Sequence, residues 1–408
     1  MVKEAWLTFL MQSLILQNSV YLSLMENFTQ YNPTKVIFGR EVADQLPAEI
    51  SWKKALVIIG EASAKRNGLY ARVVSLMNMA GLDHITYAGV KANATYQDAD
   101  AAVQKAKEYG AEVVIAIGGC SVIDTAKAVA LGFYSERSVW DFFMLKEALP
   151  QKALPVLNVL TIASTGSAMN SNCVLCDEEN GIKKEFTSAL IYPKTAFLDP
   201  YYSFTVPLKQ TTLGVSIMIA YAVQQFLNEG DAVLTDYFTA DLVRLAIQNG
   251  KEITENLQDY QLRANLMWLA TVALNDTLSA GRNYTDKSIT CIAFALDMCC
   301  KIGHGASLAI VLCAWLQMHQ YRYLNRIKFL AKQVFGLEGF DYDATATTFI
   351  KKMEEFYRQI QVPTRLSEAG ISINQKQRIL HSFQVNKITV SNHKMTDADY
   401  ETLLNLMW

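Results

Sequence analysis

The chain has 408 residues, 51% of them apolar and 19% charged, with 20 glycines and 8 prolines; it is long enough for two or three domains, and disordered, collagen-like and low-complexity classes are excluded. Lysine plus arginine (37) balances aspartate plus glutamate (39) to a net charge of −2, which excludes a general attraction to nucleic acid or an anionic membrane and leaves a small-molecule substrate as the expected partner. Seven cysteines with one isolated Cys-x-x-Cys, Cys173 and Cys176, suit a reducing, cytoplasmic setting better than a disulfide-stapled secreted fold.

Residues 5–24 are apolar-rich, but Gln12, Gln17 and Asn18 interrupt any run long enough to span a bilayer, and no Ala-x-Ala cleavage pattern follows. Residues 1–24 therefore read as an N-terminal extension ahead of Met25, or as a surface or oligomer-contact helix. Short apolar runs at Val36–Phe38, Ala55–Ile59, His84–Ala88 and Val113–Ile117 predict strands, most of them followed by a helix-period segment. Strand alternating with helix predicts a parallel sheet covered on both faces, with ligands at the carboxyl ends of the strands. The segment 136–153 reads as a surface excursion, and Cys176–Lys184 as a charged hairpin turning at Asn180-Gly181. Beyond Pro207 the pattern is helical: Thr211–Leu227, Ala232–Gln248, Leu262–Leu278, Leu308–Lys332 and Thr345–Gln361. The expected organisation is a dinucleotide-binding α/β domain over 25–204 and an all-helical domain over 205–408, with the ligand cleft between them.

The strongest local motif is AIGGCSVIDTAKAVA, in which Gly118 and Gly119 end a buried strand and Ser121 opens a helix. Two glycines allow a pyrophosphate close to the backbone, and the positive end of the helix dipole favours its charge. Asp124 and Lys127 follow on the same helix. A tight turn with no ligand has the same local pattern.

Together with VIIGEASAKRNG upstream, TIASTGSAMNSN downstream, AFLDP, HGASLAIVLCAW and VPTRLSEAGI, this motif resembles the iron-containing (group III) alcohol dehydrogenases, most closely their butanol-dehydrogenase-like branch, over Met25 to Trp408. The resemblance implies NAD(P)-dependent interconversion of a small alcohol and an aldehyde or ketone, a catalytic iron or zinc, and a homodimer. It places Gly118, Gly119 and Ser121 at the pyrophosphate, Thr161, Thr165 and Ser167 at the phosphate and nicotinamide side, and Gly60 with Ser63 at the adenosine ribose, with Asp124 a further candidate cofactor-binding residue. Cys120 stands where the family usually has glycine. Glu61 would repel a 2′-phosphate and points to NAD, while nearby Lys65 and Arg66 could accept one, so NAD and NADP both remain open.

At the implied metal site the chain departs from the family. The pattern G-x-x-D-x-x-x-H-x-x-E becomes Gly214 to Gln224, with Ile217 for the aspartate, Tyr221 for the histidine and Gln224 for the glutamate. Thr290 replaces the third ligand, and only His304 is retained. A shifted site using Cys300 and His304 with Asp297 or Cys299 is one way to rebuild it. Without a metal, Tyr221 is a candidate proton donor for hydride transfer. The alternative of another class is a catalytically silent nucleotide-binding homologue that acts by binding a metabolite or partner.

Overall fold

The computed structural model describes residues 24–145, 150–283, 286–339, 341–386 and 395–408, so the expected extension, apart from Leu24, and part of the excursion at 136–153 lie outside the described residues. Six strands, β1 (Lys35–Phe38), β2 (Lys54–Gly60), β3 (Asp83–Val90), β4 (Val113–Gly118), β5 (Val156–Leu160) and β8 (Thr195–Leu198), form one parallel sheet in the order β1-β8-β5-β4-β2-β3. Between β5 and β8 the strands β6 (Asn172–Asp177) and β7 (Ile182–Thr187) make an antiparallel hairpin, turning through Gly181 at φ +64°. β5 and β8 lack the alternation that flags a half-exposed strand, because both faces of a central parallel strand are buried.

The two faces divide the apolar runs residue by residue. Val57, Ile59, Ile115 and Ile117 pack with Leu69, Val73, Leu76 and Met77 of α1 (Leu69–Met79). Leu56, Ile58, Val114 and Ala116 point the other way, against α2 (Tyr96–Tyr109) and α3 (Cys120–Gly132). The chain leaves β2 toward β3 at one edge and leaves β4 toward β5 on the opposite side. The carboxyl ends of β2 and β4, paired through Ile59 and Ile117, are therefore a topological switch point where a crevice must open. Both glycine-bearing junctions, at Gly60 and Gly118, meet there.

The second half is helical: α4 (Leu208–Phe226), α5 (Val233–Glu252), α6 (Tyr260–Val272), α7 (Ser288–Cys300), α8 (His304–Met318), α9 (Leu324–Phe335), α10 (Tyr342–Gln359), α11 (Lys376–Val385) and α12 (Asp397–Leu406). Helix α8 is buried from Gly305 to Leu316 and runs through the middle of this half. The stretch Leu308–Lys332, expected as one helix, is two. Its break at His319–Tyr323, with the His319 ring tilted against that of Trp315 at 4.2 Å between centroids, lets a helix buried all round give way to the amphipathic α9. The stretch Leu262–Leu278 likewise ends early, at Val272, before Asp276 takes a positive φ of 73°. The excursion is not wholly at the surface: Val139, Trp140, Phe142 and Phe143 are buried. Among the described residues no helix is long and apolar enough to cross a membrane.

Candidate active site

Helix α3 begins at Gly119 with no side-chain cap. Val122 and Ile123 N–H groups return to the Gly119 carbonyl, which leaves the first N–H groups of the helix directed at the crevice. The glycines are sterically required. A Cβ on Gly118 would lie 2.6 Å from Val122 Cγ2, and one on Gly119 would lie 2.5 Å from Ile162 Cγ2. The loop after β5 closes over this end, with Thr161 N–H donating to Gly118 O at 3.1 Å and Thr165 Oγ1 to Cys120 Sγ at 2.7 Å. Helix α4 presses on the same loop at Gly214, where a Cβ would meet Ala163 O at 2.3 Å.

A cavity of about 260 Å³ lies between this floor and the helical half. It brings Ser121, Asp124, Thr165 and Ser167 together with Ile217, Tyr221 and His304. Gly60 and Ser63 stand beside the crevice at the end of β2, outside the cavity wall. Asp124 and Ser167 line the wall but serve each other: Ser167 Oγ donates to Asp124 Oδ1 at 2.5 Å, and Val174 N–H donates to Oδ2 at 3.2 Å. Lys127, fully buried, donates to Ser167 Oγ, Asn170 Oδ1 and Asn172 O. This network fastens α3 to the β6–β7 hairpin.

Burial, opposed by Lys127, raises the Asp124 carboxyl to about 6. Since the folded value lies above the ordinary 3.8, the folded state holds the proton more tightly between about pH 4 and 6. Asp124's contribution to stability is complete below that window and is lost as the pH rises through 6. Asp124→Asn removes this dependence, so the stability of the native chain relative to the variant is expected to fall by about 2 kcal/mol from pH 4 to pH 7. Urea unfolding of both proteins across that range measures it, and a constant gap would contradict the assignment.

At the opposite wall, Tyr221 Oη and His304 Nε2 are 3.0 Å apart. His304 Nδ1 is buried without a hydrogen-bond partner among the described residues. Burial, and then the charge of Lys183, push the imidazole down to about 3, so it is neutral near pH 7. Lys183 Nζ, on β7, donates to Asp297 Oδ2 at 2.8 Å and Asn93 Oδ1 at 2.7 Å, and lies 5.3 Å from the Phe294 ring. Against the upward push of burial, Lys183 holds the Asp297 carboxyl below its ordinary value. Asp297 Oδ1 in turn accepts from Gly303 N–H at 3.0 Å, which fixes the turn ahead of His304. Sequence reasoning did not find Lys183 as a site residue, because a lysine in a charged hairpin carries no signal until the fold sets it against α7.

The donor set does not fit a divalent metal. Ile217 offers carbon. Thr290 N–H and Oγ1 both donate to Gln224 Oε1, at 2.8 and 3.0 Å, so two of the replaced positions satisfy one another. Tyr221 Oη is turned to the retained His304 at Nε2. The shifted site is not assembled: Asp297 is held by Lys183 and Gly303, Arg378 stands against Cys299 and Cys300, and among the described residues no three His, Cys, Asp or Glu side chains are placed to share an ion. A dinucleotide fits better, since the uncapped helix start and the two glycines leave room and N–H donors for a pyrophosphate.

Comparison with known proteins identifies the family. Residues 33–200 match the family described as iron-containing alcohol dehydrogenase, and residues 212–407 match its C-terminal family. The probable NADH-dependent butanol dehydrogenase 1 of Bacillus subtilis is 34% identical over 89% of this chain and 94% of its own length. The NADPH-dependent aldehyde reductase YqhD of Escherichia coli is 30% identical over 91% of this chain and 97% of its own. The crystal structure of an NADH-dependent butanol dehydrogenase A from Thermotoga maritima superposes with a TM-score of 0.90 at 32% identity, covering 94% of this chain and 99% of that one.

Proposed function

We propose, from the fact that this chain belongs to the iron-containing alcohol dehydrogenase family, that it interconverts a small aldehyde or ketone and its alcohol with NADH or NADPH, and that the proton comes from Tyr221 instead of a metal-bound group. The observation that carries this reading is the Tyr221 Oη–His304 Nε2 contact at 3.0 Å in the cleft, at two positions where the family resemblance places metal ligands. A bound nicotinamide cofactor supplies or takes up the hydride. Everything else falls to the chain itself. The N–H groups opening α3 hold the pyrophosphate, and Thr165 shapes the loop above it. With its proton on Nε2, neutral His304 donates to Tyr221 Oη. The tyrosine hydroxyl is then oriented to give its proton to a carbonyl oxygen, and the imidazole steadies the phenolate left behind. Ile217 and Phe294 supply apolar walls that restrict water. The same reading carries a cytoplasmic homodimer acting on a small molecule.

The test is turnover of NADH or NADPH with butanal before and after exhaustive chelation, together with metal content per chain by plasma mass spectrometry. Unchanged turnover on chain without a stoichiometric ion is expected. One tightly held ion whose removal stops turnover would overturn the metal-free mechanism. Nucleotide binding without any turnover would leave the silent binding homologue.

A further inference from the structure

The nucleotide cradle and the proposed proton donor belong to different halves of the chain. The cradle lies at Gly118 and Gly119, where β4 gives way to α3, whereas Tyr221 and His304 belong to α4 and α8. A misplacement of about 1 Å between reacting groups can cost ~100-fold in rate, so the halves must be held in register. Both ends of α7 are tied to the β6–β7 hairpin. Lys287, just ahead of the helix, pairs with Glu185, and in the last turn Asp297 Oδ2 accepts from Lys183 Nζ at 2.8 Å. Lys183 Nζ also donates to Asn93 Oδ1, in the loop after β3, at 2.7 Å. The hairpin is in turn fastened to α3, through Lys127 Nζ to Asn172 O at 2.7 Å and Val174 N–H to Asp124 Oδ2 at 3.2 Å. Hydrogen bonds therefore lead from the cradle helix through the hairpin to Asp297, and from Asp297 Oδ1 to Gly303 N–H beside His304 at 3.0 Å.

The Lys183 and Asp297 side chains are 6% and 0% exposed. At that burial desolvation offsets the attraction of the charges, and two apolar side chains could hold the contact as firmly. What they could not supply is direction. The turn into His304 carries positive φ at Lys301, 54°, and at Gly303, 90°, a path fixed from outside by the carboxylate that accepts from Gly303 N–H. We infer that Lys183 and Asp297 are a positioning pair, which ties the turn bearing His304 to the hairpin of the sheet half and so sets His304 and Tyr221 against the bound nucleotide. Neither side chain touches the reacting atoms; both act through Gly303 and the first turn of α8. For its effect on turnover the inference rests on the metal-free reading above, but for the placement of the imidazole it does not.

The full chain is compared with Lys183→Met, Asp297→Leu and the double variant. Each single variant leaves one buried charge unpaired and should lose thermal stability, whereas the double variant removes both charges and should recover most of it. Its kcat with butanal should nonetheless stay ~10–100-fold below wild type at an unchanged KM for NADH, because Gly303 N–H has lost its acceptor. Lys183→Met with Asp297→Asn, which returns an acceptor to Gly303 without either charge, should recover part of that loss. A purely stabilising ion pair would give back kcat together with stability. Histidine labelled with ¹⁵N supplies a readout that needs no turnover: the His304 ring shifts, assigned by their absence in His304→Gln, should move in the double variant as they do in Tyr221→Phe. Unchanged His304 shifts, or wild-type kcat, in the folded double variant would overturn the proposal. If no protein turns over NADH or NADPH, the function proposed above fails, and the His304 shifts still decide this inference.

Discussion

Tyr221→Phe is expected to lower kcat for carbonyl reduction by ~10²–10⁴-fold, the usual share of a positioned general acid, with nucleotide affinity unchanged. The variant keeps the ring and its burial at the cleft wall and removes only the oxygen that faces His304 Nε2. A structural plug would survive this change with its activity intact, because phenylalanine fills nearly the same volume. The proton donor would not. His304→Gln gives the supporting measurement: an amide can still donate to Tyr221 Oη, so it should retain more turnover than His304→Leu, which leaves the phenol unsupported. Equal kcat for wild type and Tyr221→Phe in stopped-flow or steady-state assays would remove Tyr221 from the mechanism.

Gly119→Val should weaken NADH binding by at least ~100-fold, equivalent to about 2.7 kcal/mol. The physical cause is at hand in the distances. Any Cβ at residue 119 meets Ile162 Cγ2 at 2.5 Å, and Gly119 is the cap residue from which the helix N–H groups emerge. The branched side chain must push the loop after β5 away, breaking the Thr161 N–H to Gly118 O contact, or occupy the space in which a pyrophosphate would lie. Overpacking of this kind costs about 1–3 kcal/mol in stability, so circular dichroism and thermal unfolding must accompany the titration. Gly119→Ala, which makes the same contact with less bulk, gives a second point on the scale. Fluorescence enhancement of NADH that persists in a folded Gly119→Val protein would show that the cofactor lies elsewhere.

The sheet was legible because its central strands are unbroken apolar runs ending at glycine, and the motif GGxSxxDxAK states both the turn and the helix start. β5 and β8 escaped for the complementary reason. VLNVL and TAFL are too short to separate strand from buried helix by periodicity, and only their partners across the sheet decide the matter. The losses at Ile217, Tyr221 and Thr290 were readable by position, but their consequence was not. Thr290 turns to Gln224, and Tyr221 turns to His304, so two of the three lost ligand positions are committed to hydrogen bonds with neighbouring side chains.

Asp124 and Ser167 show the same limit from the other side. One lies on α3 and the other 43 residues later, both with residue types suited to a phosphate or ribose, yet the fold spends them on each other and on Lys127. Lys183 and Asp297 are 114 residues apart and meet at 2.8 Å beneath the cleft. By itself, then, the sequence determined the local structure and the family: apolar period, glycine placement and helix starts act over a few residues and leave their mark in order along the chain. Which polar side chains are committed to one another and which face the cleft was decided only by the tertiary structure. Hydrogen bonds and ion pairs between distant elements depend on a few ångströms of approach that no spacing along the chain encodes.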